Sequence, residues 1–126
     1  MLKVLLVDDQ QLFRDIARNM LEDADEFQVV AEAEDGADAV DVYPGLQPDL
    51  VLMDVQMARM NGLEATRKIL RDDPEARVVI TSMRSEPEYE RLAKDTGALG
   101  FIPKRQLTIT SLMDLLRRQM PAAAAA

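Results

Sequence analysis

The strongest constraint in this chain is an alternation. Five short apolar runs, Leu2–Val7, Phe27–Ala33, Leu50–Met53, Val78–Ser82 and Leu99–Ile102, recur at fairly even intervals, with helix-like segments between them. A half-exposed strand alternates apolar and polar residues, whereas a run such as "LVLM" stays apolar and calls for burial on both faces. In the first intervening segment Phe13, Ile16, Ala17, Met20 and Leu21 keep the i, i+3, i+4, i+7, i+8 spacing of one helix face. Ile109, Leu112, Met113 and Leu116 do the same in the last. Ser85 followed by Glu88 has the form of a capping box, with Pro87 in the first turn of a fourth helix and Gly97 and Gly100 about its end. Tyr43-Pro44-Gly45 predicts a stop for the second helix. Strands alternating with helices imply right-handed crossovers and a parallel sheet covered on both faces. The expected class is α/β, a (βα)5 doubly wound three-layer sandwich in one domain, residues 1–120. The alanine-rich tail, residues 121–126, reads as the start of a linker or a cloning remnant.

Composition then removes whole classes of chemistry. The chain has no cysteine and no histidine, which excludes disulfides, thiolate metal sites, histidine triads and histidine metal ligands. A net charge of −8 argues against this chain gripping nucleic acid by itself. No run reaches membrane-spanning length and no basic-then-apolar leader opens the chain, so a cytoplasmic location without membrane contact is expected. Chemistry must come from carboxylates, lysine, arginine, hydroxyls, the backbone and a borrowed metal.

Ligand sites of open α/β sheets lie beyond the carboxyl ends of the strands. The first run ends at Asp8-Asp9, the third at Asp54 and the fourth at Thr81-Ser82, while Lys104 follows the fifth. Adjacent acids repel unless a cation joins them. Magnesium suits an all-oxygen set: Asp8 or Asp9, Asp54 and the backbone carbonyl of Gln56, with Lys104 balancing charge. A carboxylate so placed, beside a hydroxyl and an ammonium, can accept a phosphoryl group. Each residue alone has a bland reading: Asp8-Asp9 as a helix cap, Lys104 as a surface lysine, Ser82 and Phe101 as packing. Their convergence on one rim favours the chemical reading.

These motifs, "VLLVDDQ", "PDLVLMDVQMARMNG", "VVITS" and "GALGFIPK", resemble the receiver domain of two-component response regulators, the CheY-like superfamily, over Lys3 to about Met120. "TSMR" is most similar to the receivers of helix-turn-helix regulators of the LuxR/NarL type. The resemblance implies a five-stranded parallel sheet in order 2-1-3-4-5. It implies Asp54 as phosphoacceptor, Asp9 as the more direct Mg2+ ligand, Asp8 acting partly through water, and Gln56 giving its carbonyl to the metal. Ser82 is then the switch hydroxyl, Lys104 the phosphate contact and Phe101 the switch aromatic, with Gln56 and Arg84 tuning hydrolysis. The implied partner is a sensor histidine kinase or a histidine phosphotransfer protein, and a homodimer through the face of the fourth helix, fifth strand and fifth helix is consistent with the family. Such a domain is no conventional enzyme; it catalyses its own phosphoryl acceptance and slow dephosphorylation. The output is either transcription regulation through a DNA-binding domain absent from this chain or stand-alone phosphorelay or protein-interaction control.

The chain departs from the family pattern at three places. Ala58 replaces a loop proline, Met83 a small residue, and Pro103 precedes Lys104 while Arg105 follows it. A phosphohydrolase of the haloacid dehalogenase type would need an acid at Gln56, and a degenerate, non-phosphorylated receiver would not need the full set of acids and lysine.

Overall fold

The computed structural model describes residues 1–119; the tail Pro121–Ala126 lies outside the described residues. Five strands, β1 (Leu2–Val7), β2 (Phe27–Ala33), β3 (Leu50–Asp54), β4 (Val78–Ser82) and β5 (Gly100–Pro103), form one sheet in the order β2-β1-β3-β4-β5. Every neighbouring pair is parallel. The helices are α1 (Gln11–Glu22), α2 (Gly36–Leu46), α3 (Gly62–Asp72), α4 (Pro87–Asp95) and α5 (Ile109–Gln119). The expected class and strand order are both found.

Strand residues divide by parity, as pleating requires. Leu50 and Leu52 of β3 enter the layer with Ala17 and Leu21 of α1 and Leu112, Leu115 and Leu116 of α5. Val51 and Met53 enter the other, with Ala39 and Tyr43 of α2, Ala65 and Ile69 of α3 and Ala93 of α4. Two cores therefore sandwich a sheet whose central strands, β3 and β4, are buried along their whole length. Among the described residues no helix is long and apolar enough to cross a membrane.

Three local expectations are corrected. The second helix runs through Pro44 and ends at Leu46, with Gln47 in the left-handed region at φ 44° and its N–H donating to the Tyr43 carbonyl at 2.9 Å. A proline one turn from a helix end removes only the bond to the Val40 carbonyl. Meanwhile the buried Tyr43 donates its hydroxyl proton to Asp73 at 2.8 Å and anchors α2 to the end of α3. The capping box at Ser85 does not form, because Glu86 is the capping position and Pro87 the first helical residue. Ser85 stands one residue too early, and its hydroxyl accepts from Arg105 at 3.2 Å instead. On α1, Ile16 is 57% exposed whereas Arg14 is buried with Ala17 and Leu21, so the inward stripe is rotated from its apolar prediction.

Candidate functional site

Sheet register builds the site. Val7 pairs with Met53, so the next residue of β1's path, Asp8, comes up beside Asp54. Asp54 pairs with Thr81, and Ser82 pairs with Pro103, which places Lys104 one step further on the same rim. The Asp8 N–H donates to the Ala33 carbonyl at 3.1 Å and continues the sheet past the end of β1. All five strands therefore share one carboxyl-end edge, and the acids and lysine of the sequence meet there.

The meeting is close and dry. Asp8 is 2% exposed and Asp54 4%, and the Lys104 side chain is 5% exposed. The Lys104 ammonium lies 2.6 Å from Asp8 Oδ2 and 3.5 Å from Asp54 Oδ1. Carboxylate oxygens of Asp8, Asp9 and Asp54 all lie within 4.8 Å of one another. Burial pushes the Asp54 carboxyl up to about 7, and the charges of Asp8 and Asp9 push the same way; Lys104 only partly offsets them. One ammonium does not settle three carboxylates. Among the described residues Asp8 Oδ2 has no aligned hydrogen bond beyond its ion pair with Lys104, so it keeps a lone pair free inside the cluster. A divalent cation fits this donor set, since oxygen ligands without nitrogen or sulfur suit a hard ion.

Around this centre lie the groups expected to respond to it. Ser82 is fully buried, and its Oγ accepts from the Arg84 N–H at 3.0 Å. Phe101 is half-buried and stacks on Tyr89 with centroids 6.4 Å apart, while the Arg84 guanidinium sits 5.7 Å from the Tyr89 ring. Gln56 and Met83 are exposed. No cis peptide occurs among the described residues, so the bonds about Lys104 are trans.

The loop from Gln56 to Asn61, which lacks its proline at Ala58, is tied at the following residues. Arg59 contacts Asp35 at 2.7 Å and Asp38 at 2.6 Å, at the start of α2, and that guanidinium holds the Asp35 carboxyl below the usual carboxylate range. Met60's carbonyl accepts from Gly36 N–H at 3.1 Å, and Asn61 caps α3 by accepting from Glu64 N–H at 2.9 Å. Gly62 lies against the end of β3 so closely that a Cβ there would sit 1.9 Å from the Asp54 carbonyl oxygen.

Sequence reasoning did not find four of these contributors: Phe13, Arg14, Arg59 and Gly62. Phe13 stands on the apolar face of α1, and the centre of its ring also lies 4.4 Å from the Lys104 ammonium. Arg14 had a signal, because it stands i, i+3, i+7 with Ala17 and Leu21, a cation within a buried stripe. Arg59 had none, since its partners Asp35 and Asp38 are distant in sequence, whereas Gly62 closes the motif that carries Asp54 and only its close approach to that residue's carbonyl needed the fold.

The family model described as the response regulator receiver domain matches residues 4–117. The chain belongs to the receiver family. Among curated relatives, this receiver is 42% identical to Response regulator GacA of Pseudomonas aeruginosa, covering 82% of the chain and 49% of that protein. It is 42% identical to Chemotaxis protein CheY of Listeria monocytogenes, covering 82% of the chain and 87% of that protein. Among solved structures, the signal receiver domain of the putative response regulator NarL from Mycobacterium tuberculosis aligns with TM-score 0.84 at 29% identity, over 95% of this chain and 97% of that one. The receiver spans about half the length of the regulators GacA and DegU. Receivers are domains of the response regulators of two-component systems. As a family they bind Mg2+ and interact with histidine kinases and phosphotransfer proteins.

Proposed function

We propose that this receiver accepts a phosphoryl group on Asp54 from a phosphohistidine of a sensor kinase or phosphotransfer protein. The observation that carries the reading is the convergence of Asp8, Asp9 and Asp54 with the buried ammonium of Lys104. An Asp54 carboxylate oxygen attacks phosphorus in line; the new O–P bond forms as the P–N bond to the donor imidazole breaks. Because the chain has no histidine, the donor is another molecule. Lys104, 3.5 Å from Asp54, is in reach to exchange a carboxylate contact for a phosphoryl oxygen. A magnesium ion held by Asp8, Asp9, Asp54 and the Gln56 carbonyl would neutralise the crowded acids and the charge of the phosphoryl oxygens.

Ser82 reports the result. Its hydroxyl now accepts from the Arg84 N–H, and turning to donate toward a phosphorylated Asp54 breaks that contact and frees the start of the β4–α4 loop. Phe101, stacked on Tyr89 of α4, follows, so the α4-β5-α5 face changes shape by a population shift. Gln56 and Arg84, exposed at the rim, tune hydrolysis. That face, which also carries a cleft lined by Glu90, Lys94, Phe101 and Arg118, is the surface for partners or a homodimer. The similarity to the longer Transcriptional regulatory protein DegU of Brevibacillus brevis, 37% identical, favours a transcriptional output through a further domain. A second reading, stand-alone control of a partner protein, is favoured by the 87% coverage of the Listeria CheY.

The test is incubation with acetyl phosphate and Mg2+, followed by intact mass and peptide mapping. One acid-stable, base-labile phosphoryl group on Asp54 is expected, lost in Asp54→Asn. Full labelling of Asp54→Asn, or none of the wild type where another receiver reacts, overturns the assignment.

A further inference from the structure

We propose that Arg14 is the positioning residue of the acid cluster: from the first turn of α1 it holds the end of β1 so that Asp8 and Asp9 face Asp54. Its side chain is 6% exposed, and a charge so buried requires partners on every side. Nη1 donates to the Asp8 carbonyl at 2.5 Å, Nε to Glu32 of β2 at 2.9 Å and Nη2 to Gln11 at 3.0 Å, with Glu34 at 4.0 Å. The fork therefore joins the β1–α1 junction, β2 and α1.

These bonds leave Asp8 little freedom. Its N–H is held by Ala33, its carbonyl by Arg14, and its Oδ1 accepts from the Gln10 N–H at 2.8 Å. Only Oδ2 remains, and it points to Lys104. Without the guanidinium, a carbonyl at the base of the cluster loses its partner and the turn carrying both acids is released. Lysine cannot substitute, because one ammonium cannot span Glu32 and the Asp8 carbonyl with a planar fork. A purely electrostatic role predicts the opposite effect on a cation site. A positive neighbour would weaken the site and its removal would tighten it, whereas here Arg14 is paired with Glu32, which it shares with Arg18, and has Glu34 at 4.0 Å.

The metal readout rests on the proposed cation site, so the experiment has a second arm that does not. Arg14→Lys and Arg14→Met are compared with wild type by calorimetric Mg2+ titration, at a temperature where circular dichroism shows each folded. Loss of affinity of ~10–100-fold is expected in both variants, as for residues that orient metal ligands. Unchanged affinity in Arg14→Lys, or tighter binding in Arg14→Met, overturns the proposal. In metal-free protein, hydrogen exchange of the Gln10 amide should quicken in the variants more than that of the Leu52 amide in β3. Equal changes at both would reduce Arg14 to a general stabiliser and overturn it too. If wild type binds no Mg2+, the reading of the site fails and the Gln10 exchange alone decides the role of Arg14. If neither variant folds, the wild type labelled with 15N-arginine serves: the Arg14 Nε–H resonance must shift on Mg2+ addition, and an unmoved resonance refutes the coupling.

Discussion

Replacing Asp54 with asparagine should make the metal-free protein more stable at neutral and alkaline pH, although it removes the proposed phosphoacceptor. The folded site holds Asp54 near 7 against an ordinary value of 3.8, chiefly by burial and then by the charge of Asp8. Between those two values the folded chain binds a proton that the unfolded chain has released, so stability falls as pH rises. The loss is absent below about pH 4 and complete above about pH 7. At about 1.4 kcal/mol per pH unit it amounts to about 4 kcal/mol, an upper bound because side chains and water adjust. Asparagine keeps the shape and discards the charge, so a gain of roughly 2–4 kcal/mol is expected at pH 8. At this chain length that raises Tm by about 3–5 °C per kcal/mol. Urea unfolding in EDTA at pH 4, 6 and 8 measures it: the variant's advantage should be near zero at pH 4 and largest at pH 8. Added Mg2+ should narrow the gap, because the proposed cation site exists only in the folded wild type. An advantage that ignores pH, or a variant less stable than wild type at pH 8, would refute the reasoning that these acids strain the fold.

Three further substitutions probe the supports. Phe13→Leu keeps an apolar packing partner but removes the ring face beneath Lys104; a rise of about 0.5–2 kcal/mol in the barrier, hence a phosphorylation by acetyl phosphate slowed about 2- to 30-fold, is expected. Gly62→Ala places a Cβ against the Asp54 carbonyl and should cost roughly 2–3 kcal/mol in urea unfolding; a cost within ±0.5 kcal/mol would show that α3 can slide away freely. Arg59→Ala should quicken exchange of the Gly36 amide, whose acceptor is Met60 in the tied loop, while the Val51 amide in β3 stays unchanged.

The strands were legible because burial on both faces leaves the central ones, β1, β3 and β4, mostly apolar, while edge strand β2 still carries enough valine and alanine around Gln28 and Glu32 to read as one. β1, β2 and β4 begin and end as the runs do, β3 extends by one residue to include Asp54, and β5 shifts by one to Gly100–Pro103. Helix ends were less legible, since a local signal can be overruled from elsewhere. Pro44 is carried within α2 because Tyr43 is anchored by Asp73, thirty residues away. Ile16 faces out because Glu32 and the Asp8 carbonyl draw Arg14 inward. Loop rigidity at Ala58 was not readable at all, for the ties come from Asp35, Asp38 and Gly36 on another helix.

By itself the sequence determined which chemistry is possible and on which edge it would gather. Lacking histidine and cysteine, and carrying Asp8, Asp54, Ser82 and Lys104 at or just beyond the ends of four of its five strands, the chain had one rim and one set of groups to place there. Only the tertiary structure decided how tightly those groups are forced together and what holds them. Parallel register set Asp8 beside Asp54, burial raised the Asp54 carboxyl, and α1 brought Phe13 under the lysine and Arg14 behind the acids. The reason is physical. Strand ends and residue types follow from local pattern, but the field at a carboxylate depends on neighbours, and those neighbours are distant along the chain.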